Sequence, residues 1–340
     1  MEKKLFVGID VSKKTVDVTF FHIKDIRKTE YKQFENNQKG YKEMIKWIFS
    51  FTKFKKEEII FCLENTGTYS LLFSKLFTEE NYFVWVENPL QIKQSLGIKR
   101  GKNDKLDSYE IATYAYRFQD KAKLFKMPSK VLMALQDLEA YRERLLHART
   151  AISQAGSELR EFDKINSKFI KNSTADVVKN LNKQIEEIET KIELLIESDE
   201  ELKKMFELVI SVVGIGPQIA VYMLIHTQCF KNFETVRQFA CYCGIAPFEH
   251  TSGSSIKGRT KVSHLANKKL KSLLHMGALV AVQHDPELKA FYARKKKEGK
   301  HHLNIMNIIK NKLIQRVFAV IKRGEKFMKY DEYKQYKKVA

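Results

Sequence analysis

The stretch Leu5-Phe-Val-Gly-Ile-Asp10-Val-Ser-Lys-Lys-Thr-Val-Asp-Val-Thr-Phe20 decides how the first part of the chain folds. Residues 5 to 11 and 15 to 22 read as two β-rich runs joined by a tight turn at Ser12-Lys-Lys14. The first run is apolar except for Asp10, and a carboxylate there is costly to bury unless something cationic sits on it. A divalent metal is one such partner. Working outward, a third strand is expected near residues 28 to 34, and Asn36-Asn37 opens a helix with Tyr41, Met44, Ile45, Ile48 and Phe49 at helical spacing. Residues 58 to 63 form a short continuous apolar run suited to a strand buried on both faces, and Asn65-Thr-Gly67 breaks it. A helix through Leu71, Leu72 and Leu76 leads to a strand at Tyr82-Phe-Val-Trp-Val86, and Pro89 opens the next helix. The order β-β-β-α-β-α-β-α implies a mixed sheet with helices on its faces.

Composition bounds the rest. A chain of 340 residues suggests two or three domains, and 44% hydrophobic residues exclude global disorder. A formal net charge of +20 favours a polyanionic partner, nucleic acid or an anionic membrane surface. No apolar stretch reaches the length of a membrane span, and Met1-Glu-Lys-Lys lacks a signal-peptide pattern, so nucleic acid is the stronger reading and a cytoplasmic location is expected. Cys62, Cys229, Cys241 and Cys243 give no paired zinc spacing and read as reduced core cysteines.

After Pro128 the pattern changes. Leu138, Leu145, Ile152 and Leu159 recur every seven residues, and Val178, Leu181, Ile185, Ile188, Ile192 and Leu195 step by three and four. This is a two-helix hairpin or a coiled coil, with a break expected near Asn166 to Ser173 and a subunit contact as its functional use. From about Leu202 a third region begins, with helices through Ala220 to Ile225, Thr235 to Cys243, Ala266 to His284 and Leu303 to Lys322. A loop rich in Ser, Gly and Thr, residues 247 to 263, interrupts them.

Four acids of the first region stand out. Asp10 lies in the first strand, Glu64 ends the buried strand, and Asp104 and Asp107 share one face of a helix that Asn103 or Asp104 can cap. Singly, each has a structural reading as a solvated or dipole-complementing group. As a set on one mixed sheet they can converge, and four converging carboxylates need divalent cations. Such a cluster suits a two-metal phosphodiester site.

Here a resemblance becomes specific. Gly8-Ile-Asp10-Val-Ser-Lys-Lys, Glu64-Asn-Thr-Gly67 and Asn103-Asp104-Lys-Leu-Asp107-Ser resemble the DEDD motifs of the IS one-ten / IS eleven-eleven insertion-sequence transposases. The resemblance implies a RuvC-like (ribonuclease H-like) α/β domain with Asp10, Glu64, Asp104 and Asp107 binding Mg2+, or alternatively Mn2+. Basic Lys99-Arg100-Gly-Lys102 resembles the approach to the family's last two acids. In the third region Val213-Gly-Ile-Gly-Pro217 resembles a helix-hairpin-helix turn whose Gly214 and Gly216 would let backbone N–H groups approach phosphate, although an ordinary helix-linking turn fits equally. Cys243-Gly-Ile-Ala-Pro247 through Ser252-Gly253 to Lys257-Gly-Arg259 resembles the family's second signature, whose serine is the DNA-linking nucleophile. Ser252 matches best, with Ser254 and Ser255 as alternatives. Lys257, Arg259, Lys261, Lys268 and Lys269 follow it as candidate phosphate contacts, as does Lys271.

These observations imply a RuvC-like domain over residues 1–125, a coiled-coil linker or oligomerisation segment over 126–201, and a mainly α C-terminal transposase domain over 202–330. The resemblance implies a transposase that cuts and rejoins donor and target DNA through a covalent phosphoserine, guided by a structured non-coding (bridge) RNA, in a homo-oligomeric, dimeric or tetrameric assembly. A Mg2+-dependent junction nuclease using water, and a non-catalytic nucleic-acid-binding protein, are the alternatives.

Overall fold

A computed structural model describes residues 2–95, 97, 103–252 and 256–328. The chain divides into two compact units, Met1–Met127 and Pro128–Ala340.

The first unit is a five-stranded mixed sheet with helices on both faces. Its elements are β1 (Leu5–Val11), β2 (Thr15–His22), β3 (Asp25–Glu35), α1 (Gln38–Phe51), β4 (Ile59–Glu64), α2 (Thr68–Glu79), β5 (Val84–Glu87), α3 (Pro89–Ser95) and α4 (Asp104–Arg117). The strand order is β3-β2-β1-β4-β5, antiparallel across β1–β2 and β2–β3 and parallel across β1–β4 and β4–β5. The hairpin turn closes because the Ser12 hydroxyl accepts from the Thr15 N–H, and α1 starts where the Asn37 side chain accepts from the Gly40 N–H. The third strand is longer at both ends than the 28–34 expected, and β5 begins two residues after Tyr82.

The period-two alternation of the strands divides their side chains between two cores. Leu5, Val7, Ile9, Val16, Val18, Phe61 and Leu63 pack with Tyr41, Met44 and Ile48 of α1 and with Phe73 and Phe77 of α2. Phe6, Phe21, Ile60, Cys62 and Trp85 pack on the other face with Ile92 of α3 and Ile111, Ala112 and Tyr114 of α4. Asp10, two residues on from Gly8, therefore projects on the α4 face.

The second unit is mainly helical: α5 (Lys130–Glu158), α6 (Lys164–Glu197), α7 (Glu200–Ile210), α8 (Pro217–Thr227), α9 (Val236–Tyr242), the strands β6 (Pro247–Ser252) and β7 (Ile256–Val262), then α10 (Lys268–His284), α11 (Pro286–Lys297) and α12 (His302–Arg323). Helices α5 and α6 form a hairpin, with Leu145, Ile185, Ile188, Ile192 and Ile196 buried along it and joined to Leu202, Val221 and Leu224. The expected break at Asn166 to Ser173 is incorrect. The chain turns at residues 159–163, because the Asp163 side chain caps α6 by accepting from the N–H groups of Ile165 and Asn166. The hydroxyls of Ser173 and Thr174 then bond back to the Ile170 carbonyl, so these polar residues sit within the helix instead of ending it.

The expected loop at 247–263 is instead an antiparallel hairpin, in which Pro247 pairs with Val262 and Ser252 with Ile256. A helix not expected from the sequence, α11, has Pro286 in its first turn, Asp285 accepting from the Leu288 N–H, and the basic run Arg294-Lys-Lys-Lys297 in its last turn. Those cations complement the C-terminal end of the helix dipole. Among the described residues no helix is long and apolar enough to cross a membrane.

Candidate metal centre and nucleic-acid interface

The acidic site is built by a close approach of helix to strand. A Cβ placed on Gly8 would lie 2.2 Å from both the Ala112 N and the Ser108 O, so the bare Gly8 backbone lets α4 rest directly on β1. The fully buried Ser108 hydroxyl bonds the Thr19 hydroxyl of β2 at 2.7 Å and fixes the helix along the sheet. Asn103 caps α4 by accepting from the Lys105 N–H, which places Asp104 and Asp107 in its first turn. Asp104 also occupies the turn where the helix dipole favours negative charge.

The structure brings Asp10, Asp104 and Asp107 together, each offering a carboxylate oxygen within 4.8 Å of the others. Two metal–oxygen bonds of about 2.0–2.6 Å placed back to back span a similar distance, so one hard cation could be shared by these acids. Glu64 is outside that close group. It ends β4, beside β1, and acts on Asp10 through its charge. The Asp10 carboxyl is pushed up to about 6, first by burial and then by Glu64, Asp107, Asp104 and Asp17. Among the described residues, the charged groups that raise the Asp10 carboxyl are all acids, and an all-oxygen donor set of this kind fits a divalent cation.

The sequence reading missed two further acids on the same face. Asp17 lies opposite Asp10 on β2, is 2% exposed, and accepts from the Tyr31 hydroxyl at 2.6 Å and the Gln33 amide at 3.1 Å. Glu87 of β5 pairs with Glu64 across the strands and accepts from the Tyr114 hydroxyl at 3.0 Å. The alternation that placed Asp10 could have found both. Beside the acids, a groove of about 450 Å³ is lined by Thr19, Arg27, Thr29, Asn103, Lys105, Leu106 and Tyr109.

Of the expected basic contacts, Lys99, Arg100 and Lys102 lie outside the described residues, as do Ser254 and Ser255. Ser252 closes β6, Lys257 and Arg259 lie in β7, and Lys261 is exposed near the end of the same strand. Lys268 is exposed at the start of α10, whereas Lys269 bonds Glu143 of α5 at 2.8 Å. Gly214, at φ +95, would place a Cβ 2.5 Å from the Gly277 O of α10, so packing within the unit requires this glycine. Gly216 caps α8 and has open space where a Cβ would stand.

Comparisons with known proteins agree with this layout. Residues 7–162 match the model of the DEDD transposases of IS110, and residues 206–293 match the transposase IS116/IS110/IS902 family. A pilin gene-inverting protein of Moraxella bovis is 28% identical over 96% of this chain and 98% of its own length. An insertion element IS110 protein of Streptomyces coelicolor is 26% identical over 45% of this chain and 36% of its own. A probable family 20 transposase of Pseudomonas aeruginosa is 24% identical over 55% and 61%. With one model spanning the acidic unit and α5, the other residues 206–293 of the helical unit, and a relative similar along nearly the whole length, the chain belongs to the IS110 family of insertion-sequence transposases.

Proposed function

We propose that the first unit is a RuvC-like (ribonuclease H-like) nuclease domain and that the protein exchanges DNA strands through a phosphoserine. The observation that carries this reading is the convergence of Asp10, Asp104 and Asp107 on the α4 face, with Glu64 acting on Asp10 from the adjacent strand. Asp10, Glu64, Asp104 and Asp107 would hold Mg2+, or Mn2+ in its place. When bound, the metal supplies charge stabilisation for a phosphodiester and a lowered pKa for a hydroxyl. Ser252 Oγ attacks the phosphorus, its proton passes to solvent or a nearby base, and the bond to the 3′ oxygen breaks. The 5′ DNA end is then esterified to Ser252 and a 3′ hydroxyl is free. That hydroxyl attacks the phosphoserine of another strand, rejoins the DNA and releases the serine, so phosphodiester bonds are conserved without an external energy source.

The acids would hold and screen the reacting charge, and Ser252, at the end of β6, would supply the nucleophile. A structured bridge RNA would choose the DNA by base pairing, leaving the protein to read backbone and shape. The +20 net charge is compatible with both nucleic acids. The gene inversion named for the Moraxella relative is itself a cut-and-rejoin rearrangement of DNA, consistent with this chemistry. Assembly as a homo-oligomer is supported by Phe162, Ile165 and Phe169 at the tip of the α5–α6 hairpin, which are 93%, 83% and 69% exposed.

The test is to incubate the protein with labelled donor and target DNA, the element's RNA and Mg2+, then denature and map any protein–DNA adduct. An adduct on Ser252 that is absent from Ser252→Ala is expected. An adduct on Ser254 or Ser255 would reassign the nucleophile. Cleavage by Ser252→Ala without an adduct would replace the covalent route with a water-dependent nuclease.

A further inference from the structure

Among the described residues of the second unit, three charged side chains are almost wholly buried, and they are handled differently. Asp285, 3% exposed, is paired with Arg316 of α12. Glu139, 3% exposed, has no hydrogen-bond partner on either oxygen among the described residues, and burial pushes its carboxyl up to about 7, where it can shed its charge. Lys310 of α12 is 6% exposed, and among the described residues the charged group that acts on it is another cation, Lys271 of α10.

Lys310 lies among basic groups of α10 where α10 packs on α12. Lys271 and His275 are one turn apart on α10, which packs against α12. Lys310 and His302 both act on the His275 ring, and His302 is held by the Tyr292 hydroxyl at 2.8 Å. The stem of Lys271 runs past Gly244, 3.8 Å from where a Cβ there would stand. One turn before Lys310, the Asn307 amide donates to the Ile245 carbonyl at 2.8 Å and holds the Gly244–Ile245 segment against α12. Ile309, Leu313 and Ile314 flank Lys310 with apolar surface, which keeps the local dielectric low.

A largely buried lysine set beside like charge is unfavourable, as the acidic cluster of the first unit is with the sign reversed. An anion relieves it. We propose that Lys310, Lys271 and His275 bind a backbone phosphate of nucleic acid where α10 packs on α12. A compact ammonium suits a phosphate oxygen as a point charge, and the chain's DNA substrates supply that anion in quantity. The inference rests on the chain's handling of nucleic acid as an IS110 transposase and is independent of the serine chemistry, because its readout is binding.

The test combines two measurements on wild type, Lys310→Met and Lys271→Gln. In thermal unfolding, inorganic phosphate at matched ionic strength should raise the wild-type midpoint relative to chloride. Lys310→Met should be at least as stable as wild type in chloride and should lose the phosphate response. In binding titrations with a duplex DNA oligonucleotide and with an RNA hairpin, Lys310→Met should bind about tenfold more weakly, and its log K against log salt slope should fall by about one. Lys271→Gln should move both measurements in the same direction, so the proposal stays testable if Lys310→Met folds poorly. Loss confined to the duplex assigns the phosphate to DNA, and loss confined to the hairpin assigns it to RNA. Unchanged affinity and slope for both probes in both variants, or a phosphate response that survives Lys310→Met, would overturn the site.

Discussion

Gly8→Ala should disable the acidic site without touching an acid. The added Cβ would stand 2.2 Å from the Ala112 N and the Ser108 O, against an ordinary contact of at least 3.4 Å. Strand and helix must therefore separate by about 1 Å. Both obstructing atoms are backbone, so no rotamer change relieves the clash and α4 has to move as a body. The same helix carries Asp104 and Asp107, and Asp10 follows Gly8 by two residues on the same strand. The separation is thus transmitted directly to a cluster whose oxygens lie within 4.8 Å of one another. Overpacking of this kind costs about 1–3 kcal/mol, and a misplacement of about 1 Å at a reacting centre costs on the order of a hundredfold in rate. The assays are urea unfolding for stability, calorimetric titration with Mg2+ for the cluster, and strand exchange for activity. Weaker metal binding and the rate loss should appear together. Ala112→Gly should not rescue the variant, because the contact is with the Ala112 backbone. Wild-type metal affinity and activity in Gly8→Ala would refute the claim that this contact positions the acids.

Other outcomes follow from the same geometry. Asp10→Asn should raise the unfolding midpoint of metal-free protein, by removing a carboxylate crowded by acids, and should shrink the stabilisation by Mg2+; a lower midpoint would contradict the crowding. Asp17→Asn should act oppositely, costing about 1–3 kcal/mol in urea unfolding, because it weakens a buried acceptor held by Tyr31 and Gln33. The Glu139 carboxyl is raised from 4.5 to about 7, so the folded state holds its proton to higher pH than the unfolded chain. Its contribution to stability therefore falls as pH rises through that window, and Glu139→Gln should flatten the decline in urea midpoints measured from pH 4.5 to 7. Phe169→Ser combined with Phe162→Ser should shift the oligomer toward monomer in light scattering, if the hairpin tip is a subunit contact.

The acids of the first unit were legible because three local rules agree on them. Alternation puts Asp10 and Glu64 on one face, side-chain capping at Asn103 sets the phase of α4, and i, i+3 spacing carries Asp104 to Asp107. The β6–β7 hairpin was not legible, because Glu249-His-Thr251-Ser252 and Lys257-Gly-Arg259 have no apolar alternation and their pairing comes from cross-strand register. Helix α11 was hidden by its charge, since Leu288 is its one buried residue. Lys310 reads from sequence as one more surface lysine on an amphipathic helix. Its burial is decided by α10 and by the Gly244–Ile245 segment, which lie outside α12 and earlier in the chain, so no window along α12 reveals it.

The carboxylates on the α4 face separate into two kinds by what holds them. Asp17 and Glu87 each accept a hydrogen bond from a tyrosine hydroxyl, and their charge is tied into the framework of the sheet. Asp10 lies between them in the strand order, and the charged groups among the described residues that raise its carboxyl are acids. A protein that needed these groups only for stability would gain by giving Asp10 the donors that Asp17 has. Leaving Asp10 crowded keeps its ionised form unfavourable until a cation arrives, which couples metal binding to relief of repulsion. The basic cluster at Lys310 follows the same principle with opposite charge: Asp285 is matched within the fold, whereas Lys310 is set beside Lys271. In both units, the charge that the fold leaves crowded is the one suited to a ligand of opposite sign.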